Sequence, residues 1–298
     1  VSGPLVGLVG CGEWGRLILR DLRALGCTVA VVARSEESAA RARVGGAQAV
    51  VGDVAALPEV AGVVVAVPTA VHAQAIEAAL PRGVPVFVEK PLCPGVEDAR
   101  RLCAAAGDRV FVMDKWRYHP GVEALRDIAR AGELGAVRGL RTTRVQWGNR
   151  HADVDAVWIL APHDLSIGQE ILGGVPEPRA AVAEGTAARL EGMVALLGHE
   201  PWQVLEVSAR HAQFRREVRL HCAEGVAVLD DGWADSLLVA RGDGSRERRP
   251  LPAGLPLLRE LRAFVEHLGG GPPPRSSAAE ALAVVEAIAR LRALAGYA

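Results

Sequence analysis

The stretch that most restricts the fold spans residues 5–26, LVGLVGCGEWGRLILRDLRALG. Leu5–Val9 is short and apolar, as expected of a strand buried on both faces. Gly10-Cys11-Gly12-Glu13-Trp14-Gly15 follows, and then a helical pattern with Leu17, Ile18, Leu22 and Leu25 as its apolar positions. A strand, a G-x-G-x-x-G turn and a helix form the context in which this motif holds a dinucleotide. Gly10 permits the tight turn, Gly12 lets a pyrophosphate approach the backbone, and Gly15 lets the helix pack close to the strand. The unpaired N–H groups at the helix start then face the phosphates. Gly10, Gly12, Glu13, Trp14 and Gly15 are therefore read as cofactor-binding.

The alternation continues. Apolar runs at 28–33, 47–51, 63–67, 84–88 and 109–113 read as strands, with helices at 36–44, 69–80 and 96–106 between them. Strands alternating with helices over this stretch predict a doubly wound parallel sheet. A dinucleotide's adenosine ribose sits at the end of the second strand. An acid there would accept from the 2′-OH of NAD, whereas an arginine pairs with the 2′-phosphate of NADP. The chain carries Ala33, Arg34 and Ser35, so the expected cofactor is NADP; NAD stays open through Glu36 or Glu37. Pro68 stops the 63–67 strand, and Thr69 is expected to cap the following helix. His72 falls in that helix's first turn, either beside the cofactor or as a local packing residue.

The texture changes near residue 116. Trp116-Arg117-Tyr118-His119-Pro120 is a polar, aromatic loop, and a helix is expected over 121–131. Strand-like segments follow at 137–147, 177–184, 186–197, 203–209, 215–221 and 225–230, separated by turn signals. They predict an α+β domain with a mostly antiparallel open sheet and one long helix over 162–172. The run RGDGSRERRP at 241–250 reads as a solvated hairpin tip without a role. An amphipathic helix at 255–268 precedes the linker GGGPPPR. Ser277 and Glu280 then form a capping box for a last helix striped by Ala281, Val284, Ile288 and Leu291. The expected organisation is a dinucleotide-binding domain over 1–116, with the helix 276–298 packing back on it, and a substrate-binding domain over 117–275.

Composition narrows the function classes. With 298 residues, half of them apolar, the chain supports two cores. A net charge of −1 gives no surface for nucleic acid or an anionic membrane. Five scattered cysteines suit a reduced compartment. The longest apolar run, 60–71, is too short to span a bilayer, and no signal-peptide pattern is present. The expectation is a soluble cytoplasmic protein acting on a small molecule. His199, His211 and His221 lack metal-like spacing, so no metal is expected.

GCGEWG, VPTAVHAQAIEAAL, FVEKPL, HDLSIGQEILGG and the closing LRAFVEHLGGGPPPRSSAAEALAVVEAIARL together resemble the Gfo/Idh/MocA oxidoreductases, over essentially the whole chain. The resemblance implies an N-terminal Rossmann domain and a C-terminal domain whose open sheet mediates homo-oligomer contacts. It also implies bound NAD(H) or NADP(H), with substrate in the cleft between domains. Pro68, Thr69, His72, Glu89 and Lys90 become cofactor contacts, and Lys90 maps onto the lysine of the family's Glu-Lys-Pro motif. A lysine at the carboxyl end of a parallel strand points into the ligand crevice, where its ammonium can stabilise a developing alkoxide. Pro91 matches a proline often cis in relatives. His163 matches a histidine that serves as general acid/base, one turn after an acid in many relatives; here that position holds Ile159. Asp164 is next door but about 100° away round the helix, and is alternatively a helix-start carboxylate. Arg117, Tyr118, His119 and Asp164 join Lys90 and His163 as candidate substrate contacts. The loop 116–120 reads equally as a plug between domains, and Tyr118 or Lys90 is the alternative to His163 for the proton. The expected activity is hydride transfer between nicotinamide C4 and a secondary alcohol or ketone of a sugar, sugar nucleotide or cyclitol. Reduction of a C=N bond and non-catalytic dinucleotide sensing are the alternatives.

Overall fold

The computed structural model describes residues 3–149, 153–186 and 188–297. They form two compact units, one running to Lys115 and taking in Leu255–Leu282, the other comprising Trp116–Gly254 and the segment from Ala283.

The first unit alternates strand and helix except between β3 and β4, which no helix separates: β1 (Leu5–Val9), α1 (Gly15–Ala24), β2 (Thr28–Val32), α2 (Glu36–Val44), β3 (Ala49–Val51), β4 (Gly62–Val65), α3 (His72–Ala79), β5 (Val86–Glu89), α4 (Val96–Ala106) and β6 (Val110–Met113). The six strands are all parallel, in the order β3-β2-β1-β4-β5-β6. Strand order reverses beside β1, the switch point at which such sheets bind ligands. Val6, Leu8, Val31, Val64 and Phe87 form the core with Ile18, Leu19 and Leu22 of α1.

The second unit contains α5 (Pro120–Ala131), β7 (Val137–Trp147), α6 (Ala156–Leu172), β8 (Pro178–Thr186), β9 (Arg189–Gly198), β10 (Trp202–Ser208), β11 (Arg210–Cys222), β12 (Gly225–Leu229), β13 (Ser236–Arg241) and β14 (Arg246–Pro250). Its eight strands run β14-β13-β12-β11-β7-β10-β9-β8, antiparallel except for the β7–β10 pair. Leu140, Val218 and Leu220 of the sheet pack with Val122, Leu125 and Ile128 of α5 and Ile167 and Ile171 of α6. Two helices follow, α7 (Pro256–Leu268) and α8 (Ala278–Leu294). The capping box closes as expected: Ser277 N–H donates to Glu280 Oε2 (2.9 Å) and Glu280 N–H to Ser277 Oγ (3.3 Å).

Four expectations need correction. The long helix starts at Ala156, not 162: Asp155 Oδ1 accepts from the N–H groups of Val157 and Trp158, and Pro162 lies inside it. Thr69 caps nothing with its side chain; it opens a short 3₁₀ turn ahead of α3. Residues 246–250 are an edge strand and not part of a hairpin tip. Arg241 and Arg249 reach Glu133 there, the charged edge that discourages pairing with another chain. Finally, α7 groups with the first unit and α8 is divided between the two, because Leu257, Leu261 and Phe264 of α7 belong to the first core. Among the described residues no helix is long and apolar enough to cross a membrane.

Candidate functional site

In the first unit the glycine turn has the shape its sequence demands. Gly10 has φ +94°, and a Cβ there would lie 2.6 Å from the Ala66 carbonyl oxygen. A Cβ at Gly15 would meet the Gly10 carbonyl oxygen at 2.3 Å. At Gly12 a Cβ would meet nothing within 4 Å, so that backbone is open to an approaching group. Close-packed glycines on either side of an open one fit a dinucleotide's pyrophosphate.

The neighbouring helix supports this turn. Cys11 N–H donates to Ser38 Oγ (3.1 Å), and Arg41 pairs with Glu13 (3.1 Å) and Glu37 (2.6 Å). Ser35 caps α2 by accepting the Ser38 N–H at 3.2 Å, which leaves its own hydroxyl proton to donate. Arg34 is exposed and makes no ion pair among the described residues. Glu36 and Glu37, the alternative ribose acceptors, are already engaged by Arg43 (2.7 Å) and Arg41.

Trp14 contributes more than its backbone. Its indole N–H donates to Glu89, and the Lys115 ammonium stands 4.3 Å over its ring. The turn is thereby tied to the end of β5, where Lys90 sits half-buried. The Lys90–Pro91 peptide is cis. Burial pushes the Glu89 carboxyl up; the Lys90 and Lys115 charges and the Trp14 hydrogen bond oppose it. Beneath lies Glu260 of α7, with no exposed surface and both carboxyl oxygens without a hydrogen-bond partner. Burial and the nearby Glu89 raise it well above the usual carboxylate range, against Lys115.

His72 is held by the fold. Its buried ring bridges two backbones, Nδ1 lying 2.7 Å from the Pro91 carbonyl oxygen and Nε2 3.1 Å from that of Val67. It is the packing residue that sequence left as its other reading. Pro68 is exposed and Thr69 buried.

In the second unit the aromatic loop is largely internal. Arg117 is buried against Glu170 (2.9 Å), which also takes Arg126 (2.7 Å), so its guanidinium is tied to α6. Tyr118 is buried as well. His119 caps α5: its Nδ1 accepts the Gly121 N–H (3.0 Å), and Nε2 lies 2.9 Å from the Gly232 carbonyl oxygen. That pattern defines the Nε2–H tautomer. Asp164 is mid-helix, so the helix-start reading falls. Its Oδ2 is 2.6 Å from Arg144 Nε, and burial raises its carboxyl against the pull of Arg144. His163, half-buried, is turned away from Asp164 by the helix.

Sequence reasoning missed Ser38, Arg41, Arg144, Arg216 and Glu260. Periodicity held the signal for the last three. Arg144 and Arg216 share the inward phase of Leu140 and of Val218 and Leu220, while Glu260 sits on the stripe of Leu257, Leu261 and Phe264.

This arrangement is that of a nicotinamide-dinucleotide enzyme. A family model described as oxidoreductase family, NAD-binding Rossmann fold, matches residues 5–112. The chain is 31% identical to a dTDP-3,4-didehydro-2,6-dideoxy-alpha-D-glucose 3-reductase from Streptomyces violaceoruber, over 94% of this chain and 91% of the relative. It is 35% identical to the myo-inositol dehydrogenase Hyg17 of Streptomyces leeuwenhoekii, over 46% of this chain and 44% of that one. Among solved structures, UDP-N-acetylglucosamine 3-dehydrogenase GnnA from Acidithiobacillus ferrooxidans matches with a TM-score of 0.85 at 23% identity, covering 98% of this chain and 97% of the other. A levoglucosan dehydrogenase in complex with NADH and levoglucosan matches with 0.88 at 19% identity and the same coverage. These two likenesses establish the fold. The chain belongs to the Gfo/Idh/MocA oxidoreductase family and is an NAD(P)-dependent dehydrogenase or reductase.

Proposed function

We propose that the enzyme is an NADP-preferring oxidoreductase acting on a secondary alcohol or ketone carbon of a sugar or sugar nucleotide. The observation that carries this reading is the Trp14–Glu89 hydrogen bond, which couples the dinucleotide turn to the strand end bearing Lys90. Bound cofactor would supply or accept the hydride at its nicotinamide C4. Gly10, Gly12 and Gly15 with the first turn of α1 would hold the pyrophosphate, and Arg34 and Ser35 the 2′-phosphate. Lys90 steadies the substrate oxygen as it gains or loses charge. His163 moves the proton, since an imidazole's ordinary pKa lies near neutrality.

The relatives named for a dTDP-sugar reductase and a UDP-sugar dehydrogenase support the substrate class, and dehydrogenase and reductase names do not favour a sensor without chemistry. Self-association through the open face of the second sheet belongs to the same reading. Val182 and Val194 lie opposite each other there, both exposed, with Leu196 two residues on. The test is turnover of a panel of free and nucleotide-linked keto sugars with NADPH and with NADH. Oxidation of NADPH in preference to NADH, with a sugar of this kind, is expected. NADPH binding with no turnover on any of them, in wild type as in Lys90→Ala, would remove the catalytic reading.

A further inference from the structure

The second unit buries positive charge that the reaction above does not use. Arg144 and Arg216 are partners across β7 and β11, so both side chains stand on one face of the sheet. They are only 3% and 9% exposed. One carboxylate, Asp164, serves the pair through Arg144, and its buried Oδ1 has no hydrogen-bond partner. Arg216 makes no ion pair among the described residues. Its N–H groups donate to the Val145 carbonyl oxygen (2.7 Å), the Arg215 carbonyl oxygen (2.8 Å) and Gln146 Oε1, all neutral. Asp231 is the other acid near enough to act on it, and its Oδ1 accepts the Trp233 N–H at 2.8 Å. Burial and the neighbouring Arg144 charge push the Arg216 guanidinium down to about 10.

Aromatic rings frame the pair. Trp116 lies 4.3 Å from the Arg144 guanidinium and Phe214 4.1 Å from that of Arg216. Gly232 packs against both the Trp116 ring and the stem of Arg216. Like charges directly across a strand pair repel, and a guanidinium out of water without a counter-ion is costly. An arginine cannot escape that cost by losing its proton, as an acid escapes by gaining one. What relieves it is an anion, which a planar fork of donors grips best.

We propose that Arg216, with Arg144 beside it, is a subsite for a phosphate or carboxylate group carried by the substrate. This deepens the reading above and rests on it for the molecule that bears the group: the sugar is a charged one, phosphorylated, nucleotide-linked or acidic. The test uses the full chain saturated with NADPH, so that the glycine turn is filled, and inorganic pyrophosphate as the probe in titration calorimetry. Wild type is expected to bind one pyrophosphate per chain. Arg216→Met is expected to weaken it about ten- to hundredfold, to keep its Tm without probe, and to lose the Tm gain that pyrophosphate gives wild type. Should Arg216→Met not fold, Arg216→Lys carries the test, since it keeps the charge but loses the fork; it too must bind more weakly.

Unchanged pyrophosphate affinity in whichever variant folds, or no saturable binding to the wild-type holoenzyme, would overturn the subsite. Turnover does not enter these readouts. A protein that binds pyrophosphate through Arg216 but reduces no sugar would refute the proposed function and leave the subsite standing.

Discussion

The two units bury different mixtures of charge: among the described residues the first buries acids without arginines or lysines, the second buries arginines and acids together. The first hides acids: Glu260 fully and Asp114 at 3% exposure, beside Glu89. The second hides Arg117, Arg144 and Arg216 at 3–9% exposure, together with Asp164, Glu170 and Glu217. A carboxyl group driven from water takes up a proton and becomes an uncharged donor, the direction in which Glu260 and Glu89 both move. A guanidinium has no such exit and must find anions, as Arg117 finds Glu170 and Arg144 finds Asp164. The same burial therefore drives the first unit's acids toward their protonated form and makes the second unit's arginines depend on anions.

The comparison breaks most visibly at Asp164. Asp164→Ala leaves Arg144 without its counter-ion, and denaturant unfolding should show a loss of about 3–5 kcal/mol. A loss below about 1 kcal/mol would mean that the second unit does not depend on anions at all. Lys90→Ala tests the half-buried cation beside the acidic cluster. Its kcat should fall about 10²- to 10³-fold, as when a donor to a developing oxyanion is removed, while Tm changes little.

Arg34→Ala sharpens the contrast from the unpaired side. NADPH affinity should drop about tenfold, with NADH affinity unchanged, in a fluorescence titration; an equal drop for both cofactors would place Arg34 outside the 2′-phosphate site.

The smallest effect is expected at Glu260. Its folded pKa is raised, so the native state holds a proton that the unfolded chain has released. Stability from this group is present below the ordinary carboxyl pKa and fades as pH rises through the folded value. Glu260→Gln, an uncharged mimic of the protonated acid, should match wild type within about 1 kcal/mol near pH 4 and flatten the decline at higher pH. A steeper decline in the variant would mean that Glu260 is ionised in the fold.

Much of this was legible in sequence where partners are neighbours. The glycine turn, Ser35 ahead of α2 and the Ser277–Glu280 box each signal through residues three or four apart. Side chains whose partners are distant carry two readings in sequence, structural or ligand-facing. His72 answers to Pro91, Arg117 to Glu170 and His119 to Gly232, across 19, 53 and 113 positions. No local pattern distinguishes such a residue from one awaiting a ligand. A proline suits the first helical turn, yet Pro162 lies inside α6, whose start is marked by the Asp155 carboxylate accepting from Val157 and Trp158 N–H. The strand Arg246–Pro250 was hidden by its charge, since an edge strand needs no apolar face to pair with β13.

Hydride transfer beside Lys90 is tested most directly by isotope transfer. NADPH deuterated at the transferable C4 position would be incubated with the enzyme and a nucleotide-linked keto sugar, and the product examined by mass spectrometry. One deuterium on the carbon that gains the hydroxyl is predicted, with the label essentially lost when Lys90→Ala is used over the same time. Unlabelled product, or label carried equally well by Lys90→Ala, would contradict it.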